Sequence, residues 1–142
     1  MDMNLQNKIL SDFPHLFPDA GRRLMGLIDC GNGWFDLIYE LCKKLEVEIT
    51  SVDWPERFKL HVNQIKEKFG GLRFYMNQST TRMDDLITIA EHKSENMCEV
   101  CGSTGRIYGE RWGLQAACIE HAPLGPTEKL ARYLKEDDNS RA

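Results

Sequence analysis

The chain has 142 residues, 42% of them apolar and 28% charged, with a net charge of −4 and a mean hydropathy of −0.46. That length fits one domain of about 150 residues with room for a small appended lobe, and the composition is neither disordered nor collagenous. No apolar run approaches the ~20 residues of a membrane span, no secretory signal is read at Met1–Gln6, and acid exceeds base evenly along the chain, which argues against a protein whose whole surface tracks a polyphosphate. Five cysteines without a signal peptide point to a reducing, cytoplasmic setting, where clustered thiols bind metal or do redox chemistry more often than they form disulfides.

Residues 4–12 predict a short amphipathic helix with Leu5 and Ile9 four apart. Pro14 and Pro18 then forbid regular structure, and an extended segment is expected to lay Phe13, Leu16 and Phe17 on the core. Residues 20–31 suit either a helical turn or a short strand through Leu24, Leu27 and Ile28. After the turn chemistry of Gly31-Asn32-Gly33, Trp34, Leu37, Ile38, Leu41, Cys42 and Leu45 recur at helical spacing, which predicts a helix over 33–46 capped by Asn32 or Gly33. Asp53-Trp54-Pro55 reads as a breaker.

From Phe58 to Met76 the pattern reads as a hairpin turning at Gly70-Gly71. That register pairs Phe69 with Leu72, Glu67 with Phe74 and Ile65 with Met76 on an apolar face. It pairs Lys68 with Arg73, Lys66 with Tyr75 and Gln64 with Asn77 on a basic one. Glu67 on the apolar face is either a slip in this register, the simpler account, or a buried paired carboxylate. A helix over about 82–95 should turn Met83, Leu86, Ile87 and Ala90 inward, and Thr127 can cap a last helix over 128–136 ahead of a frayed acidic tail.

Between the last two helices lies Cys98-x2-Cys101-x16-Cys118-x2-His121, inside the spacing window of a zinc site. Two ligands three apart in a tight turn aim both donors at one point. The stretch Arg106–Tyr108 to Trp112–Leu114 is long enough for a small hairpin that returns the second pair to the first. Three thiolates and an imidazole fill a tetrahedron, so one structural zinc per chain is expected, with no position open to substrate. His92 is a competing ligand at poorer spacing, Cys42 and Cys30 read as buried thiols, an auxiliary-ligand role for Cys30 being the lesser alternative because no partner sits at ligand spacing, and His15 and His61 read as ordinary surface or strand residues. A redox dithiol would leave the second pair idle.

Residues 57–75 carry a local charge of +4 through Arg57, Lys59, Lys66, Lys68 and Arg73 against Glu67. This is either a solvated sheet face or a docking surface on which Lys66, Lys68, Arg73 and Tyr75 project together. The metal segment, with Arg106 and Arg111 against three glutamates, lacks the basic residues of a nucleic-acid-reading finger. No phosphate-cradling glycine loop, metalloprotease, nucleophile-elbow or deaminase motif is found, so an enzyme is the third reading.

Three blocks in order, Cys30-Gly31-Asn32-Gly33-Trp34-Phe35-Asp36-Leu37-Ile38, Gln64 to Tyr75, and Cys98-Glu99-Val100-Cys101-Gly102 with Cys118-Ile119-Glu120-His121, resemble a group of small zinc-knuckle proteins encoded by bacteriophages and prophages. The resemblance spans about residues 13–121 and supplies context, not mechanism: an accessory protein that binds and modulates a host or anti-phage-defence protein. The metal segment also looks like a treble-clef or zinc-ribbon knuckle, although Pro123 keeps a long helix from running straight on from His121. The expected fold is α+β: a helix and hairpin core over 1–96, a zinc lobe over 97–126, and a C-terminal helix with an acidic tail over 127–142. The leading expectation is a non-enzymatic interaction module, with a nucleic-acid-binding regulator as the alternative.

Overall fold

The structure, a computed structural model, describes residues 1–20, 26–110 and 113–140. Helix α1 (Met3–Asp12) is capped by the Asp2 carboxylate, which accepts from Asn4 N at 2.8 Å, and it buries Ile9 and Leu10 while Leu5 is half-buried. Phe13, Leu16 and Phe17 are buried as expected, but the chain between them turns instead of extending. Phe17 N donates to Phe13 O at 3.1 Å and Ala20 N to Phe17 O at 3.2 Å. Proline pre-sets φ for a turn as readily as for an extended strand. Leu16 O accepts from Val62 N at 2.9 Å and ties this segment to the hairpin.

Of the ambiguous stretch 20–31, Leu24 lies outside the described residues, and Ile28–Asp29 forms a two-residue strand, β1. Helix α2 (Phe35–Thr50), entered through a 3-10 turn at Asn32–Trp34, buries Ile38, Leu41, Cys42, Leu45 and Ile49 along one face. Neither Asn32 nor Gly33 caps it; the Asn32 side-chain oxygen accepts instead from Asp2 N at 2.7 Å. The helix runs four residues past the expected end because Ile49 continues its apolar stripe. Arg57 closes it: the guanidinium donates to Thr50 O at 3.0 Å, a carbonyl the helix leaves unpaired, and to Val52 O at 2.7 Å in the turn beyond.

Strands β2 (Val62–Lys68) and β3 (Gly71–Met76) form the expected antiparallel hairpin, and β1 adds to β2 in parallel, giving the order β1-β2-β3. The turn moves by one residue, which shifts each cross-strand pairing by two. Lys68 faces Gly71, Glu67 faces Leu72, Lys66 faces Arg73, Ile65 faces Phe74 and Gln64 faces Tyr75, so the turn is Phe69-Gly70. Both turn residues have positive φ, 55° and 82°, the I′ pattern that matches strand twist. Phe69 therefore leaves the apolar face and is 48% exposed.

Helix α3 (Thr81–Ser94), capped by the Thr80 hydroxyl at 3.2 Å from Met83 N, buries Met83, Ile87, Ala90 and Ser94, with Leu86 half-buried. Its side chains close the outer edge of β3: Leu72 N donates to Ser94 Oγ at 2.8 Å and Phe74 N to Glu91 Oε1 at 3.0 Å. An edge strand is thereby denied to foreign strands.

Strands β4 (Arg106–Tyr108) and β5 (Gln115–Ala117) make the expected small ribbon. Alternation sends Ile107 and Ala116 into the main core while Tyr108 and Ala117 join Cys98, Cys118 and Ala122 in a second cluster. Segment 97–126 thus has its own small core and shares a wall with the larger one. Helix α4 (Pro126–Ser140) is longer than expected: Pro126 rather than a Thr127 cap opens it, and the acidic tail is helical through Ser140. It buries no residue and rests on the ribbon side through polar contacts, Lys129 Nζ to Glu120 O at 2.6 Å, Arg106 to Glu136 at 3.4 Å, and the Arg132 guanidinium 5.2 Å from the Tyr108 ring centroid.

Candidate metal centre

Cys98 to Ser103 form the first arm of the site. Gly102 N donates to Cys98 O and Cys98 N to Ser103 O, both at 2.8 Å, and Gly102 turns at a φ of 79° that other residues resist. The second arm is a turn in which His121 N donates to Cys118 O at 3.2 Å. Strands β4 and β5 bring the arms together.

The Cys98, Cys101 and Cys118 sulfurs and a His121 ring nitrogen all lie within 4.8 Å of one another. Cys101 Sγ is 3.7 Å from Cys118 Sγ, and His121 Nδ1 is 3.6 Å from Cys98 Sγ and 3.2 Å from Cys118 Sγ. A tetrahedron with metal–sulfur bonds of about 2.3 Å and metal–nitrogen bonds of about 2.0–2.1 Å has sulfur–sulfur edges of about 3.8 Å and sulfur–nitrogen edges of about 3.6 Å. The sulfurs are thus spaced for a shared ion and well outside the ~2.05 Å of a disulfide. His92, the competing ligand, sits in the last turn of α3, and among the described residues the group contains these four alone.

The donors differ in environment. Cys98 and Cys118 are buried, whereas Cys101 and His121 face solvent. Hydrogen bonds from Ser103 bring the Cys101 thiol down to about 6, while burial foremost pushes Cys118 up. Cys30 and Cys42 are buried outside the group, as expected. Burial, with Glu99 nearby, pushes the Cys30 thiol up to about 12, and burial also raises Cys42.

The first arm is seated on the loop before α2. Gly33 N donates to Glu99 O at 2.7 Å, Gly31 N to Glu99 Oε1 at 2.9 Å, and Trp34 Nε1 to Met97 O at 2.9 Å. A Cβ on Gly33 would lie 2.2 Å from Cys98 O and 2.6 Å from Gly102 N, and one on Gly31 would lie 2.3 Å from Glu99 O. The hairpin turn meets the lobe as well, since a Cβ on Gly70 would stand 3.2 Å from the Ile107 side chain. All three sequence blocks therefore converge on this seam. Gly-x-Gly-Trp before a helix was the one local trace of it, and it reads as ordinary turn chemistry.

Glu67 remains on the inner face despite the altered register, because β2's own alternation is unchanged when the turn moves. The expected slip is real, yet it does not free the carboxylate: Glu67 is half-buried and its Oε2 has no hydrogen-bond partner. Glu99 across the seam has its carboxyl raised by burial first, with Gly31 N–H opposing and the Glu67 charge adding.

Lys66, Lys68, Arg73 and Tyr75 share the opposite face with Gln64, in the corrected pairing. Lys68 and Tyr75 are exposed, and Lys66 and Arg73 are half-buried. The wider basic patch is smaller than its composition: Arg57 caps α2, and Lys59 pairs with Glu56 at 3.1 Å. Arg106 pairs with Glu136, and Arg111 and Trp112 lie outside the described residues. No helix among the described residues is long and apolar enough to cross a membrane. No family model, curated protein or solved structure matches the chain.

Proposed function

We propose that this chain is a non-enzymatic, zinc-stabilised interaction module: a phage or prophage accessory protein of the bacterial cytoplasm that binds and modulates a host or anti-phage-defence protein. A Cys3His donor set with tetrahedral spacing suits zinc, and four protein ligands leave no position for a zinc-bound water. The order of knuckle, ribbon, second ligand pair and helix is treble-clef-like, with the departure that Pro123 and Pro126 separate His121 from α4. Elemental analysis should return one zinc per chain, and Cys98→Ser should lose it. X-ray absorption should give three sulfurs and one nitrogen; a water ligand would reopen the enzyme reading.

The observation that carries the binding role is Lys66 directly opposite Arg73 across β2 and β3. Like charges in that position are destabilising, and among the described residues no carboxylate lies within ion-pair distance of either. An acidic protein patch docked on Lys66, Lys68, Arg73 and Tyr75 would supply the missing counter-charge. Reversing Lys66 and Arg73 to Glu should leave fold and zinc content intact and abolish partner capture. The nucleic-acid alternative draws on Tyr75, a stacking ring beside cations; it wins if the wild type binds DNA with a steep salt slope that the reversal flattens.

A further inference from the structure

The hairpin face does not end at Tyr75. Alternation from Arg73 and Tyr75 puts Asn77 next on that face, and its side-chain amide donates to Lys59 O at 3.0 Å while its N–H reaches His61 O at 2.8 Å. The segment beside it presents Trp54 and Phe58, stacked with centroids 5.8 Å apart and 26° between planes, 65% and 59% exposed. Of the five exposed aromatic rings among the described residues, four lie within 54–75.

This pair is held on a fixed frame. Arg57 N donates to Asp53 O at 3.0 Å, Phe58 N to Pro55 O at 3.1 Å, and the Arg57 side chain is bonded to the end of α2. A hydrogen-bonded backbone beneath them and their mutual stacking reduce the entropy the rings lose when covered, a property of a binding anchor.

Charge decides what covers them. The cations next to the rings are spent, Arg57 on the helix end and Lys59 on Glu56, and Asp53 and Glu56 flank the pair. The cations without carboxylate partners, Lys66, Lys68 and Arg73, stand further along the hairpin. A single-stranded nucleic-acid site combines stacking rings with a positively charged groove that tracks the phosphate backbone past them. Here the stacked Trp54–Phe58 pair stands apart from those cations, whereas Tyr75 and Phe69, with Lys68 Nζ 5.5 Å from the Phe69 ring centroid, stand among them. We infer that the surface takes an acidic protein segment carrying a large apolar side chain, the apolar group seated on Trp54 and Phe58 and the acidic flank lying along Lys66 and Arg73. This rests on the hairpin reading above and names its partner's chemistry.

The test uses the zinc-loaded full chain and three labelled probes: a short peptide of alternating acidic and apolar residues, the same peptide with serine at the apolar positions, and oligothymidylate. The acidic-apolar peptide should bind best, about tenfold tighter than the serine peptide. Trp54→Ala with Phe58→Ala, both exposed, should preserve zinc content and helicity and erase that difference. Lys66→Glu with Arg73→Glu should weaken both peptides alike and flatten their salt dependence. Loss with the charge reversal alone overturns the anchor and leaves the hairpin reading standing. Loss with the alanine pair alone overturns the cationic face and the acidic flank with it. Tighter binding of oligothymidylate, or no binding of the acidic-apolar peptide at low salt, also overturns the inference.

Discussion

Cys101 carries the weak side of the metal centre. It is exposed while the other four cysteines are buried, so a solvent-borne reagent reaches its sulfur first. Limiting iodoacetamide on the zinc-loaded chain should therefore modify Cys101 first and release metal, with Cys30 and Cys42 untouched until the chain unfolds. Peptide mapping against released zinc checks the order, and early labelling of Cys30 would contradict it. At the same scale, Gly33→Ala drives a methyl to 2.2 Å from Cys98 O, into backbone that cannot swing aside. The expected loss is about 3 kcal/mol, measured by urea denaturation, with weakened zinc retention. Gly125→Ala, which meets nothing within 4 Å, should stay within about 0.5 kcal/mol of wild type.

Among the elements, the closure of β3 by α3 makes the sharpest forecast. Ser94 is fully buried, its Oγ accepting from Leu72 N at 2.8 Å and donating to Glu91 O at 2.5 Å. Ser94→Ala leaves the Leu72 amide buried without an acceptor and should cost about 1–3 kcal/mol, with faster hydrogen exchange at Leu72. Glu91→Gln retains an acceptor for Phe74 N and should cost less. Elements whose cause is local were legible in the sequence: the stripe of α2, the inward face of α3, the paired ligands at 98–101 and 118–121. The hairpin register was not, because a bulky aromatic in the left-handed region is locally unfavourable and two adjacent glycines look like the cheaper turn. Contacts distant in sequence fix it: Gly70 fits against Ile107, and a Cβ on Gly71 would stand 3.7 Å from the Glu95 side chain. For the same reason β1, two residues long and parallel, left only an ambiguous signature, and the closure of α2 falls to an Arg57 seven residues beyond its end.

For the molecule as a whole, the ribbon that faces both clusters means metal removal is felt beyond the lobe. Cys98→Ser or chelation should expose residues 97–121 to hydrogen exchange and also deprotect 31–34, whose N–H groups and Trp34 indole are spent on Glu99 and Met97. Exchange confined to 97–121 would show the two clusters to be independent. The seat itself has another consequence. Apart from the Glu99 carboxylate that accepts from Gly31 N, Gly31 and Gly33 meet the knuckle at the peptide groups of Cys98, Glu99 and Gly102, atoms that every amino acid supplies alike. Val100, at the tip of that arm and 47% exposed, takes no part in the joint. Inheritance can rewrite position 100 without disturbing the pedestal below it, so lineages of such a chain can acquire new recognition there while the glycines beneath stay fixed.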